Sequence, residues 1–112
     1  MEIIKYSNNW NNKLFCDCWS TIRLSNANKY IIGDTYSHRI VNSKSQVVLV
    51  KPGKLIVIEE FRLDNLPNSF SLLDAGLLKE DYAKMIRTMY KNKNINFDTQ
   101  WWAFMVFSSK HI

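Results

Sequence analysis

A chain of 112 residues that is 46% hydrophobic and 13% aromatic, with 3 Gly and 2 Pro, excludes a disordered or collagen-like segment. That length suits one folded domain, expected to span residues 1–112. Fifteen basic residues against ten acidic ones leave a net charge of +5, which favours polyanions such as RNA or a nucleotide as partners. No apolar run approaches the ~20 residues of a membrane span, and Met1-Glu2-Ile3-Ile4-Lys5 lacks the pattern of a secretory leader. A cytoplasmic protein with no membrane partner is expected.

In chain order, Glu2 to Tyr6 reads as a first strand and the Asn-rich stretch Ser7 to Asn12 as a turn, since Asn side chains bond local backbone. The second half of Leu14 to Leu24 is rich in β-branched and aromatic residues and reads as a strand. Ser25 to Asn28 is a loop, and Lys29-Tyr30-Ile31-Ile32 bridges into a Gly33-Asp34 turn. Thr35 to Val41 and Gln46 to Val50 read as strands around a turn at Asn42 to Ser45. Lys51-Pro52-Gly53-Lys54 has the composition of a hairpin turn. Leu55 to Leu63 then reads as the longest strand, with Leu55, Val57, Glu59 and Phe61 on one face, and its apolar start places it centrally in the sheet. Phe70 to Ala75 is a short helical turn stopped by Gly76. Leu78 to Lys91 is the main helix, because Leu78, Tyr82, Met85, Ile86, Met89 and Tyr90 recur at the three-four spacing of a buried stripe. Trp101 to Ser108 is a last aromatic strand, whose two Trp point to opposite faces, one into the core and one outward or under the helix.

The expected fold is therefore α+β and mainly β: a β-barrel with one main α-helix packed against it. Cys16 and Cys18 stand two apart with no second pair, too few ligands for zinc, so no metal and no cofactor are expected and the thiols read as reduced and buried. No phosphate loop, nucleophile elbow or zinc-protease motif is present.

Ser20-Thr21-Ile22-Arg23, then Lys29-Tyr30, then Gly33-Asp34 and Tyr36 resemble the core motif of the ASCH domain family, small PUA-like β-barrels found mostly in prokaryotes and phages. The resemblance spans roughly residues 13 to 108. It implies binding of RNA, a nucleotide or a modified nucleoside. Some similar proteins are amidohydrolases that deacetylate acetylated cytidine, using a Thr, a Lys three residues before it and a Glu ahead of the late helix. Here Thr21 matches the Thr, Cys18 stands at the Lys position, and Asp74 is the nearest acid. The segment Asn42 to Pro52 looks like an added strand and turn relative to that family.

Two sets of residues follow. Thr21, Asp74 and Cys18 are the candidates for catalysis. Thr21, Arg23, Lys29, Tyr30, Arg39, Lys51 and Lys54 are the candidates for holding a ligand or RNA. Thr21 and Arg23 share one strand face. An Arg in a barrel mouth needs an anionic partner, either a ligand phosphate or a carboxylate such as Asp34 or Asp74. Lys29 and Tyr30 would sit at the rim, with Tyr30 stacking on a base or packing on the barrel wall. Lys51, Lys54 and Arg39 cluster around the proposed hairpin, where they suit phosphates or a solvated surface. A protein partner on the basic or aromatic surface is the third reading.

Overall fold

The computed structural model describes residues 2–7 and 14–110. Most of the Asn-rich turn expected at Ser7 to Asn12 lies outside them. Five strands form one curled half-barrel sheet, in the order β1-β3-β4-β5-β2. The strands are β1 (Ile3–Tyr6), β2 (Cys18–Leu24), β3 (Thr35–Val41), β4 (Val47–Arg62) and β5 (Trp101–Ser108). β1 runs parallel to β3, and the other pairings are antiparallel. Two helices, α1 (Asn68–Ala75) and α2 (Lys79–Met89), sit between β4 and β5 in sequence. The expected turn at Phe70 is thus a second full helix.

The sheet separates two cores. On one face Ile4, Tyr6, Trp19, Tyr36, Leu55, Met105 and Phe107 fill the half-barrel. On the other, Ile22, Phe61, Trp102 and Phe104 pack against Tyr82 and Ile86 of α2 and Ala75 of α1. Trp102 is the core member of the Trp pair and Trp101 is exposed, with the Arg62 guanidinium 4.9 Å over its ring.

The expected hairpin at Lys51 to Lys54 does not exist: β4 runs through it without a break. Asn42 to Pro52 does hold a turn and strand residues, but the strand is continuous with the long one after it. It is the tight turn 42–46, where Asn42 Oδ1 accepts from the Lys44 and Gln46 N–H groups, followed by the first half of β4. Two features reconcile Pro-Gly with a strand. Ser37 sends its N–H to Glu2 O (2.8 Å), just before β1 and away from β4, so its partner Pro52 also faces away from β3. β5 reaches only Lys54, so the missing Pro N–H falls on an edge with no ladder partner among the described residues. Gly53 lies beneath Trp19 and His38, and a Cβ there would stand 2.8 Å from His38 Nε2. The glycine serves a close approach, not a turn.

β4 also slips register between Leu55 and Val57. A one-residue slip reverses the faces. Leu55 and Ile58 therefore pack in the half-barrel, whereas Phe61 packs under the helices; the single face expected for Leu55 to Phe61 is split. β4 is central as expected, yet Ile56 and Val57 at its middle are exposed.

Candidate functional site

β1 and β2 are the two edges of the curled sheet, and among the described residues they approach each other without forming a ladder. Arg23 bridges the gap: its Nη2 donates to Lys5 O (2.6 Å), its Nε donates to Thr21 Oγ1 (3.2 Å), and its guanidinium lies 4.8 Å over the Tyr6 ring. No ion pair joins it to Asp34 or Asp74 among the described residues. The carboxylate alternative is therefore replaced by a carbonyl, a hydroxyl and a ring.

Beside this bridge opens a cleft of about 100 Å³, walled by Thr21, Ile22 and Arg23 of β2, Lys5 and Tyr6 of β1, and Asp74, Tyr82, Met85, Met89 and Tyr90 from the helical segment. The helices place the acid. α1 ends on Gly76 in the left-handed conformation (φ 71°), whose N–H caps Leu72 O and Ser71 O. Asn68 at the start of α1 accepts from the Lys79 N–H at the start of α2 (2.9 Å), fixing the angle between the helices. Tyr82 consequently meets the last turn of α1 and donates its hydroxyl to Asp74 Oδ2. Both side chains are buried, and burial together with the Asp74 charge holds the Tyr82 hydroxyl protonated far above its ordinary range.

A wider concavity of about 410 Å³ adjoins the cleft and shares Arg23 and Tyr90 with it; Lys29, Tyr30, Asn26 and Gln100 line the rest. Its loop is positioned by Tyr36, whose hydroxyl donates to Lys29 O (2.7 Å) and accepts from the Ile31 N–H (2.8 Å). Tyr30 is 8% exposed and belongs to the barrel wall, and burial raises its pKa while the Arg23 charge opposes the rise. Lys29 Nζ stands 5.4 Å over its ring.

The sequence-derived candidates thus divide. Thr21, Arg23 and Asp74 meet at one cleft, with Lys29 and Tyr30 beside it. Arg39, Lys51, Lys54 and Cys18 line neither space. Lys51 is already committed: its Nζ donates to Leu14 O (3.1 Å) and Cys16 O (2.6 Å) and lies 4.9 Å over Trp19. Arg39 Nε donates to Ser37 Oγ (3.1 Å). Cys18 opens β2 on the face opposite Thr21, because they stand an odd number of positions, three, apart. Both cysteines are exposed rather than buried, since Cys16 precedes the strand and Cys18 lies at its first residue.

Sequence reasoning assigned Tyr82 and Tyr90 to a packing stripe, which they do form; that the same face also borders a cleft depends on the β1–β2 gap. His38 was passed over. It is fully buried, its Nδ1 receiving the Trp19 N–H (3.3 Å) and the Tyr6 hydroxyl (2.9 Å). An indole N–H only donates, so Nδ1 is the acceptor and the ring is neutral. Burial lowers its pKa to about 4; the Gly53 backbone opposes this, while Arg23 and Lys51 add to it.

Among the described residues no three His, Cys, Asp or Glu side chains group as metal ligands, and no helix is long and apolar enough to cross a membrane.

Neither a family model nor a curated protein matches the chain. Solved structures do. The chain is similar to an ASCH domain from Lactobacillus crispatus JV V101, with a TM-score of 0.58 and 9% identity over 96% of this chain and 77% of that one. It is also similar to a protein of Enterococcus faecalis V583 described by family-model DUF984, with a TM-score of 0.55 and 13% identity over 88% of this chain and 67% of that one. The chain has an ASCH-like fold, within the PUA-like class of β-barrels.

Proposed function

We propose that this chain is a PUA-like binding module that holds a nucleotide or modified nucleoside, free or within single-stranded RNA, in the cleft between β1, β2 and the helices. One observation carries the reading: Asp74, about fifty residues further along the chain, borders the same cleft as Thr21 and Arg23, and that cleft adjoins a concavity bearing Lys29 and Tyr30. A carboxylate and a guanidinium on opposite walls suit a ligand with both donors and acceptors, and the two cations suit its phosphate. Titrating short single-stranded RNA and nucleoside monophosphates against wild type and Arg23→Ala, with a melting curve for each, tests it. The variant is expected to lose affinity by about 1–3 kcal/mol, the range of a charge-assisted contact. Its melting temperature should also fall, because the bond to Lys5 O is lost. Unchanged affinity alongside a lower melting temperature would reduce Arg23 to a structural strut. No binding at low salt would favour a protein partner instead.

The second reading, an amidohydrolase on acetylated cytidine, is favoured by the presence of Thr21 and Asp74 on the same cleft. Against it, Cys18 replaces the lysine and lies away from that cleft, so no ammonium is supplied to Thr21 from there. Acetate release from acetylated cytidine is expected to stay at background. Turnover abolished by Thr21→Ala would promote the hydrolase.

A further inference from the structure

The β2 edge carries recognition groups that no side chain reveals. At one end of the β2–β5 ladder Ser25 N–H donates to Trp101 O (3.1 Å), and at the other Ser109 N–H donates to Asp17 O (2.8 Å), both in register with the strand pairing. In an antiparallel ladder alternate residues turn both main-chain groups to the partner. Trp19, Thr21 and Arg23 therefore bond β5, and Ile22 turns its N–H and C=O away from it. β1 behaves likewise: Ser37 N–H donates to Glu2 O (2.8 Å), so even-numbered residues face β3 and Lys5 turns outward, where Arg23 meets its carbonyl. The outward sides of β1 and β2 both border the cleft that Ile22 lines. Ile22 is 5% exposed and lines that cleft, so a group entering it meets the outward N–H and C=O. Main-chain groups turned away from the ladder are satisfied by water or by a ligand.

We propose that the Ile22 N–H and C=O form a main-chain reading edge for a planar heterocycle that carries a donor and an acceptor on neighbouring ring positions, that is, a nucleobase. This rests on the nucleotide reading above and names the part of the ligand that enters the cleft. An extended residue presents its donor and acceptor side by side, matching a lactam or amidine edge. A phosphate would meet the carbonyl as a repulsive neighbour, so the anionic part belongs in the outer concavity with Arg23 and Lys29. A peptide strand adding to β2 would need the whole edge, but the Arg23 bridge to Lys5 closes the gap beside Ile22 and leaves a slot for a small flat group.

Amide hydrogen exchange followed by NMR tests the edge and the ligand separately. In the free protein the Ile22 amide is expected to exchange at least about 100-fold faster than those of Thr21 and Arg23, which the ladder protects. Equal protection at all three overturns the proposal without touching the nucleotide reading. The four common nucleoside 5′-monophosphates and ribose 5-phosphate are then titrated. The nucleotide that binds tightest should protect the Ile22 amide, and its derivative methylated on the Watson–Crick-edge nitrogen should bind about tenfold or more weaker, because a buried group is then left unpaired. Nucleotide binding that leaves Ile22 unmoved, or methylated and parent compounds of equal affinity, rejects main-chain reading while the binding module stands. Ribose 5-phosphate binding as tightly as any nucleotide leaves an anion site that reads no base. Failure of every nucleotide to bind overturns base reading by Ile22, and failure of short single-stranded RNA as well overturns the binding module.

Discussion

His38 shows how one buried side chain sets a pH limit on the whole molecule. Its Nδ1 is filled by two donors, Trp19 N–H and the Tyr6 hydroxyl, so a proton there would face donors rather than acceptors. Folding lowers its pKa from 6.5 to about 4. The unfolded chain then binds the proton first as pH falls, so stability is full above pH 6.5 and declines towards about 4. The loss should reach about 3 kcal/mol at the lower end, since one pKa unit is worth about 1.4 kcal/mol. Urea denaturation at pH 7, 5.5 and 4.5 measures it. His38→Gln should flatten the decline even where it lowers stability overall, and an unchanged slope would assign the acid sensitivity to other groups. Arg23 and Tyr6 were both visible in the sequence as strand residues; that Arg23 stacks on Tyr6 and reaches Lys5 depends on two edges meeting that are 18 residues apart in the chain.

At the scale of elements, the α1–α2 corner decides where the acid of the cleft points. Gly76 is required there because its positive φ is costly for any residue with a Cβ. Gly76→Ala should cost about 1 kcal/mol in chemical denaturation, and Gly76→Asn distinctly less, since Asn tolerates the left-handed region. Equal losses for the two would show that the corner is held by side-chain packing instead. The helix stop at Gly76 was legible in the sequence. β4 was not, because Pro52-Gly53 is composed like a turn. Local composition cannot reveal that β5 ends opposite Lys54, nor that Trp19 and His38 leave no room for a Cβ.

Over the whole molecule, a net charge of +5 favours approach to a polyanion such as RNA. Single-stranded binding should weaken as salt rises, with a slope of about 0.7 per neutralised phosphate. Lys29, at the outer concavity, and Lys51, bonded to the loop carbonyls of Leu14 and Cys16, separate the roles. Lys29→Ala should reduce the slope by up to that amount and leave the melting temperature nearly unchanged. Lys51→Ala should lower the melting temperature and leave the slope alone. Affinities at two salt concentrations with melting curves distinguish them, and the reverse pattern would move the phosphate path to the β3–β4 face.

The sequence alone determined the strand-rich order, the late helix, the basic balance and the Thr21-Ile22-Arg23 strand. Period-two alternation, three-four spacing and charge are properties of neighbours along the chain, so they survive without any tertiary contact. The tertiary structure decided the rest. Strand pairing fixed which edge Ile22 opens to, the slip at Leu55/Val57 divided β4 between two cores, and the corner at Gly76 brought Asp74 to Tyr82 beside Thr21. Each of these depends on register between segments far apart in sequence, and register is set by the packing of the two faces together, which no local window contains.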